Sequence, residues 1–166
     1  MDDRKIKAIM IDVDGTLTDG LYHVDEKGVI TKSFFTRDFW AIRRAREEGF
    51  DVYLVTGAID GCAITKANFA NIEIIAGSED KVIDVQNIIV ERSNFLWKNI
   101  AFIGDGENDI EIMNICGYTG APSDAVEEIL NGDLSFLSDK KGGEGAVYEF
   151  IRYIFRLENI EWIAKK

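Results

Sequence analysis

Proline is nearly absent from this chain of 166 residues, with one in all, and cysteine and histidine are almost as scarce. One proline, with no internal repeat and no low-complexity stretch, leaves nothing that reads as a linker, so a single domain over residues 1–166 is expected. The two cysteines, Cys62 and Cys116, have no CxxC spacing and are too few for a disulfide framework. Neutral thiols of this kind fit a reducing compartment, and a cytoplasmic protein is expected. The one histidine, His23, reads as a hairpin surface residue rather than a base. No apolar run is long enough to cross a bilayer, and the start Met-Asp-Asp-Arg-Lys does not read as a signal peptide. Basic residues are also short: 19 Lys and Arg against 30 Asp and Glu give a net charge of -11. That balance excludes a general nucleic-acid or anionic-membrane surface. It leaves room for a small anionic substrate, because a bound cation and a few basic side chains reverse the field inside a pocket.

What the chain does have is a succession of short apolar runs separated by amphipathic stretches, the pattern of βα repeats around a parallel sheet. The first run, residues 8–11, ends in Asp12-Val13-Asp14-Gly15-Thr16. Residues 21–24 and 29–32 flank Asp25-Glu26-Lys27-Gly28 and predict a β-hairpin. Asp38 reads as the cap of a helix running to about Glu48. Further strands are expected at 52–55, 72–75 and 100–103, with helices at about 60–70, from Ser78 or Glu79 to Arg92, and 108–116. Weak strands at 118–121 and 134–137 surround a helix near 124–130, and a last helix follows the Gly142-Gly143-Glu144-Gly145 turn. The fold class is therefore α/β, a three-layer Rossmann-like parallel sheet with a small hairpin flap and no cap domain.

Each predicted strand exit carries a specific polar group: Asp12 and Asp14, then Thr56, then Asp105 with Asn108 and Asp109, while Lys81 follows the third strand. Parallel strands bring their carboxyl ends to one edge, so these residues can converge. Adjacent carboxylates repel unless a positive charge lies between them, and a hard, oxygen-seeking cation such as Mg2+ satisfies that need. The set suits phosphoryl transfer. Asp12 attacks phosphorus, and Asp14 protonates the leaving oxygen and later deprotonates water. Mg2+ is held by the carboxylates of Asp12 and Asp105 and the backbone carbonyl of Asp14. Thr56 and the amides around Asp14 and Gly15 bind phosphate oxygens, and Lys81 neutralises charge on the phosphoryl group and on Asp12. Asn108 is a further candidate for substrate contact. Asp109 is open between a place near the metal and a role in orienting Lys81.

Asp12-Val13-Asp14-Gly15-Thr16, Thr56-Gly57, Lys81 and Gly104-Asp105-Gly106-Glu107-Asn108-Asp109 resemble, in order, the motifs of the haloacid dehalogenase superfamily of phosphatases. The hairpin, the segment Lys32-Ser33-Phe34-Phe35-Thr36-Arg37-Asp38 and the tail Gly142-Gly143-Glu144-Gly145-Ala146-Val147 look like the capless 3-deoxy-manno-octulosonate 8-phosphate phosphatase subfamily. That subfamily includes relatives acting on nine-carbon sialic-type acid phosphates and domains fused to sialic acid cytidylyltransferases. The resemblance implies a Mg2+-dependent phosphatase for a small phosphorylated sugar acid. It also implies a homotetramer in which a neighbour's hairpin and tail close the site. By position it assigns substrate contact to Phe35, Thr36, Arg37, Asp38, Phe39, Arg43 and Lys66.

The chain departs from the subfamily at three places. Ala58 stands where an arginine is common after Thr-Gly, Phe39 and Trp40 follow Arg37-Asp38 where a glycine is usual, and Tyr148 replaces an arginine in the tail. Trp40 and Phe39 either narrow the pocket or pack against a neighbour. Arg37 and Arg43 either touch substrate or pair with carboxylates. Two other functions compete: a non-catalytic oligomerisation module that keeps the fold, and a phospho-accepting signalling receiver. The receiver is disfavoured because its phosphorylated aspartate should follow an internal strand, whereas the Asp12-x-Asp14 pair opens this fold.

Overall fold

The computed structural model describes residues 5–59, 61–92 and 95–162. Six strands, β1 (Ala8–Asp12), β4 (Asp51–Thr56), β5 (Glu73–Ala76), β6 (Ile100–Ile103), β7 (Tyr118–Ala121) and β8 (Phe136–Leu137), form one sheet in the order β5-β4-β1-β6-β7-β8. Every neighbouring pair in it is parallel. β2 (His23–Val24) and β3 (Ile30–Thr31) form the separate antiparallel hairpin. The paired part of the hairpin is shorter than the sequence pattern suggests, because Asp25 Oδ1 accepts the amides of Lys27 and Val29 and takes up the ends of the turn.

The inner strands are apolar on both faces, as a sheet covered on both sides requires. Ile9 and Ile11 of β1, Val52 and Leu54 of β4, and Ala101 and Ile103 of β6 join one core. That core is closed by Ala41, Ile42 and Ala45 of α1 (Thr36–Glu47), Ala63 and Ala67 of α2 (Gly61–Ala70), and Phe150, Ile151 and Ile154 of α6 (Ala146–Leu157). The alternate residues, Met10, Tyr53, Val55, Ile100 and Phe102, face a second core. It is closed by Val85 of α3 (Lys81–Arg92), Ile112 and Met113 of α4 (Ile110–Met113) and Ile129 of α5 (Glu127–Leu130). The architecture is thus the three-layer α/β fold with a hairpin flap.

Two helix starts differ from the sequence reading. α1 begins at Thr36, ahead of Asp38, whose side chain is fully buried and does not cap it. α3 begins at Lys81 rather than at Ser78 or Glu79: Asp80 Oδ1 accepts the Ile83 amide and acts as its cap, and Ser78 Oγ donates to Asp84 Oδ2 at 2.6 Å. The expected first residue of α2, Asp60, lies outside the described residues.

The chain runs from β1 outward through β4 to β5, then crosses to β6 on the other side of β1. This reversal between β1 and β6 leaves a crevice beyond their carboxyl ends, the place where open α/β sheets bind ligands.

Candidate active site

β1 delivers Asp12 to that crevice, and the chain turns immediately through residues 13–17. Gly15 adopts φ 94°, and a Cβ there would run into the Asp105 carboxylate. Only glycine allows both the positive φ and the close approach of the β1 and β6 exits. Thr16, fully buried, donates its Oγ1 hydrogen to Asp105 Oδ1 at 2.8 Å and ties the two exits together.

Lys81, the first residue of α3, reaches into the cluster from the opposite core. Its Nζ donates to Asp12 Oδ1 at 2.6 Å and to Asp109 Oδ1 at 2.5 Å, with all three side chains almost wholly buried. Asp109 uses its second oxygen to accept the amides of Asp105 and Gly106, at 3.0 and 3.1 Å. Of the two roles left open by the sequence, orienting Lys81 and the β6 exit loop is the one in which its oxygens are engaged.

Electrostatics here are those of three acids sharing one ammonium. Burial, then the Asp109 carboxylate, push Asp12 well above the usual carboxylate range, and the Lys81 ammonium only partly offsets them. Burial also raises Asp105, while the Thr16 hydrogen bond pulls the other way. For Lys81 burial works to lower the value, but Asp12 and Asp109 outweigh it and the ammonium is held above its ordinary range. Oxygens of Asp12, Asp105 and Asp109 lie within 4.8 Å of one another. An all-oxygen set with surplus negative charge fits a hard divalent cation. With the Asp109 oxygens given to Lys81 and to amides, Asp12 and Asp105 are the carboxylates left to hold it.

Asp14, partly exposed, faces the flap. Lys32 Nζ donates to Asp14 Oδ1 at 2.5 Å, and the Lys32 side chain is covered. Tyr22 OH lies 3.5 Å from Asp14 Oδ2, and Thr56 Oγ1 donates to the same oxygen at 3.4 Å while accepting the Ala58 amide. Lys32 and Tyr22 were not singled out from the sequence. The one available signal was that Lys32 follows an alternating hairpin strand and opens the segment carrying the subfamily resemblance.

Asp12, Asp14, Gly15, Thr56, Lys81 and Asp105 therefore meet at the crevice, and exposed Asn108 lines a polar recess of about 180 Å³ beside Lys81. The other candidates are placed elsewhere. Asp38 is enclosed, with Oδ1 accepting the Tyr148 amide at 2.8 Å, so it cannot reach a ligand in the crevice. Arg43 lies on the outer face of α1 and pairs with Glu47 at 3.6 Å. Lys66 sets its ammonium over the Phe39 ring, 4.2 Å from the centroid. Phe35 packs against Gly145, and Thr36 and Arg37 are exposed in the first turn of α1. Trp40 and Tyr148 do not narrow the crevice: both pack edge-on or tilted around Trp162, with centroids 5.3 Å from it. The aromatic departures thus close the α1–α6 core.

A model of the haloacid dehalogenase-like hydrolases matches residues 58–151. The chain belongs to that family. The 3-deoxy-D-manno-octulosonate 8-phosphate phosphatase of Salmonella typhi is 30% identical over 149 residues, which are 87% of this chain and 76% of that protein. An N-acylneuraminate cytidylyltransferase of Oncorhynchus mykiss is 28% identical over 158 residues, 92% of this chain. The chain spans only 36% of that relative's length. Among solved structures, the 3-deoxy-D-manno-octulosonate 8-phosphate phosphatase of Moraxella catarrhalis, in complex with magnesium, phosphate and the sugar acid, superposes with a TM-score of 0.88. It is 25% identical, over 94% of this chain and 89% of that one. Within the family the chain is thus similar to the capless sugar-acid phosphatases.

Proposed function

We propose that the protein is a magnesium-dependent phosphomonoester hydrolase that works through an aspartyl-phosphate on Asp12. Its substrate class is a phosphorylated 2-keto-3-deoxy sugar acid, such as 3-deoxy-octulosonate 8-phosphate or a sialic-type 9-phosphate. The observation that carries the reading is the Asp12–Lys81–Asp109 chain beside Asp105, at the crevice where Asp14 and Thr56 also converge. Asp12 Oδ2 is free of the Lys81 contact and attacks phosphorus, while Lys81 lowers the cost of bringing a phosphate dianion to a carboxylate. Asp14 donates a proton to the bridging oxygen as its bond to phosphorus breaks, then takes one from the water that hydrolyses the acyl phosphate. Thr56 and the amides following Asp12 hold the phosphoryl oxygens. A divalent cation held by Asp12, Asp105 and the Asp14 carbonyl would neutralise charge on the phosphoryl group in both half-reactions.

The capless crevice and the hairpin support a homotetramer in which a neighbour covers the site: Leu21, Val24 and Val29 of the hairpin are each more than half exposed. A second reading, a non-catalytic assembly module, is favoured by one observation, the match to about a third of a cytidylyltransferase. Phosphate release across a panel of phosphorylated sugars and sugar acids, with and without Mg2+, decides between the two. Mg2+-dependent turnover that Asp12→Asn lowers by at least about a thousandfold supports the enzyme. No turnover on any ester supports the module.

A further inference from the structure

The flap is hard to account for as a free-standing element. β2 and β3 pair over two residues each, the hairpin stands apart from the main sheet, and an isolated ribbon of that size is marginal in water. The hairpin is tied to the body of the protein by the Cys62 thiol of α2, which donates to Ile30 O at 3.2 Å, and by Lys32. This side chain has no exposed surface, packs its ammonium 4.3 Å from the Tyr22 ring centroid, and places it 3.2 Å from the Tyr22 hydroxyl and 2.5 Å from Asp14 Oδ1. A covered lysine is rarely left without a partner, and truncating one member of a covered pair costs far more than losing a surface ion pair. The other oxygen of Asp14 lies between the hydroxyls of Thr56 and Tyr22, at 3.4 and 3.5 Å.

We propose that Lys32 is a positioning residue for Asp14: the flap lysine fixes the rotamer of the acid–base carboxylate, so that Oδ2 is presented to the leaving oxygen while Oδ1 is held from outside. This deepens the phosphatase reading and rests on it. A carboxylate at the mouth of an open crevice has several rotamers in water, and general acid–base catalysis needs one of them within hydrogen-bond reach of the bridging oxygen. Tyr22 completes the grip by stacking on the ammonium. The flap thereby acts on the chemistry through Lys32, before any neighbouring subunit covers the site.

Lys32→Met, which keeps the stem and removes the charge, is compared with Lys32→Arg by kcat/KM on two leaving groups. One is 4-nitrophenyl phosphate, whose phenolate departs with little help from a proton. The other is the fastest alkyl monoester of the panel, whose alkoxide does not. Because kcat/KM reports the steps up to departure of the leaving group, slow hydrolysis of the acyl phosphate does not mask the effect. The expected result is a loss on the alkyl ester at least about tenfold larger than on the aryl ester, with Arg restoring most of the difference. Equal losses on both esters, or no loss, overturn the role. A second measurement is independent of turnover: amide hydrogen exchange over residues 21–32 in metal-free protein. Lys32→Met and Asp14→Asn should each speed it, and the double variant should add little to either. Unchanged or additive exchange overturns the coupling. If the coupling stands but the unaltered protein hydrolyses neither ester, the phosphatase reading falls and takes this role with it.

Discussion

Lys81 sits where two buried carboxylates would otherwise repel, and in the proposed reaction its worth is catalytic as well as structural. Its ammonium is the cation that, among the described residues, the Asp12 and Asp109 side chains share. Replacing it with Met removes the charge that the proposed mechanism directs at the phosphoryl group, so turnover should fall by about 10²–10³-fold. The same change leaves Asp12 and Asp109 buried without their partner, and urea unfolding of the metal-free protein should show a loss of about 3–5 kcal/mol. A variant that loses activity without that destabilisation would mean the acids take up protons instead, as burial already inclines Asp12 to do. In the sequence Lys81 follows the third strand, and its role there rests largely on the order of the motifs. The ion pairs explain why it must be the first residue of α3, where Asp80 caps the helix and aims the side chain across the second core.

At the scale of elements, the junction of α1 and α6 depends on Asp38. One of its oxygens accepts the Tyr148 amide in the first turn of α6, and the other has no hydrogen-bond partner among the described residues. Burial raises its pKa to about 7, with the Tyr148 hydrogen bond pulling the other way. The unfolded chain releases this proton near 3.8. Between those values the folded state holds the proton more tightly, so the contribution of Asp38 to stability is full below about pH 4, falls as pH rises toward 7 and is flat above. Asp38→Asn keeps the acceptor and removes the charge. At pH 8 it should stabilise the protein by about 1–4 kcal/mol, and at pH 4 the two proteins should melt together. Taking the difference between variant and parent cancels the parallel contributions of Asp12 and Asp105. Equal melting temperatures at both pH values would place a neutral or hydrated carboxyl there. The element is also where the tail meets the site: the Gly143 amide donates to Thr16 O, and a side chain on Gly142 would overlap the backbone of Gly15. A glycine turn is therefore needed behind residues 13–17, where the sequence pattern indicates a turn before the last helix and the resemblance implies a tail that closes a neighbour's site.

For the whole molecule, surplus negative charge at the crevice couples the fold to a cation. A ligand bound by the folded state alone, at a hundred times its Kd, adds about 2.7 kcal/mol. For a domain of this size that corresponds to a rise in Tm of roughly 5–10 °C. Thermal unfolding with Mg2+ against a chelator checks this, and the rise should be lost in Asp105→Asn. An equal rise in that variant would put the cation elsewhere on this acidic surface. The order of the sheet is what makes the coupling possible, since Asp12 and Asp105 lie 93 residues apart in sequence (105 minus 12) and leave neighbouring strands.

The sequence by itself determined the strands of the main sheet, most helices and most of the residues that gather at the crevice, because strand exits in a parallel sheet share one edge and the acids, threonine and lysine mark those exits. Short-range pattern could not say which side chains of the segment after the hairpin turn inward. Only the tertiary structure decided that Lys32 grips Asp14 across 18 residues, that Asp38 is sealed under α6, and that Trp40 and Tyr148 wrap Trp162 rather than the crevice. Each depends on the packing of one element against another distant in sequence. Burial, which converts a surface charge into a structural one, arises only when those elements meet.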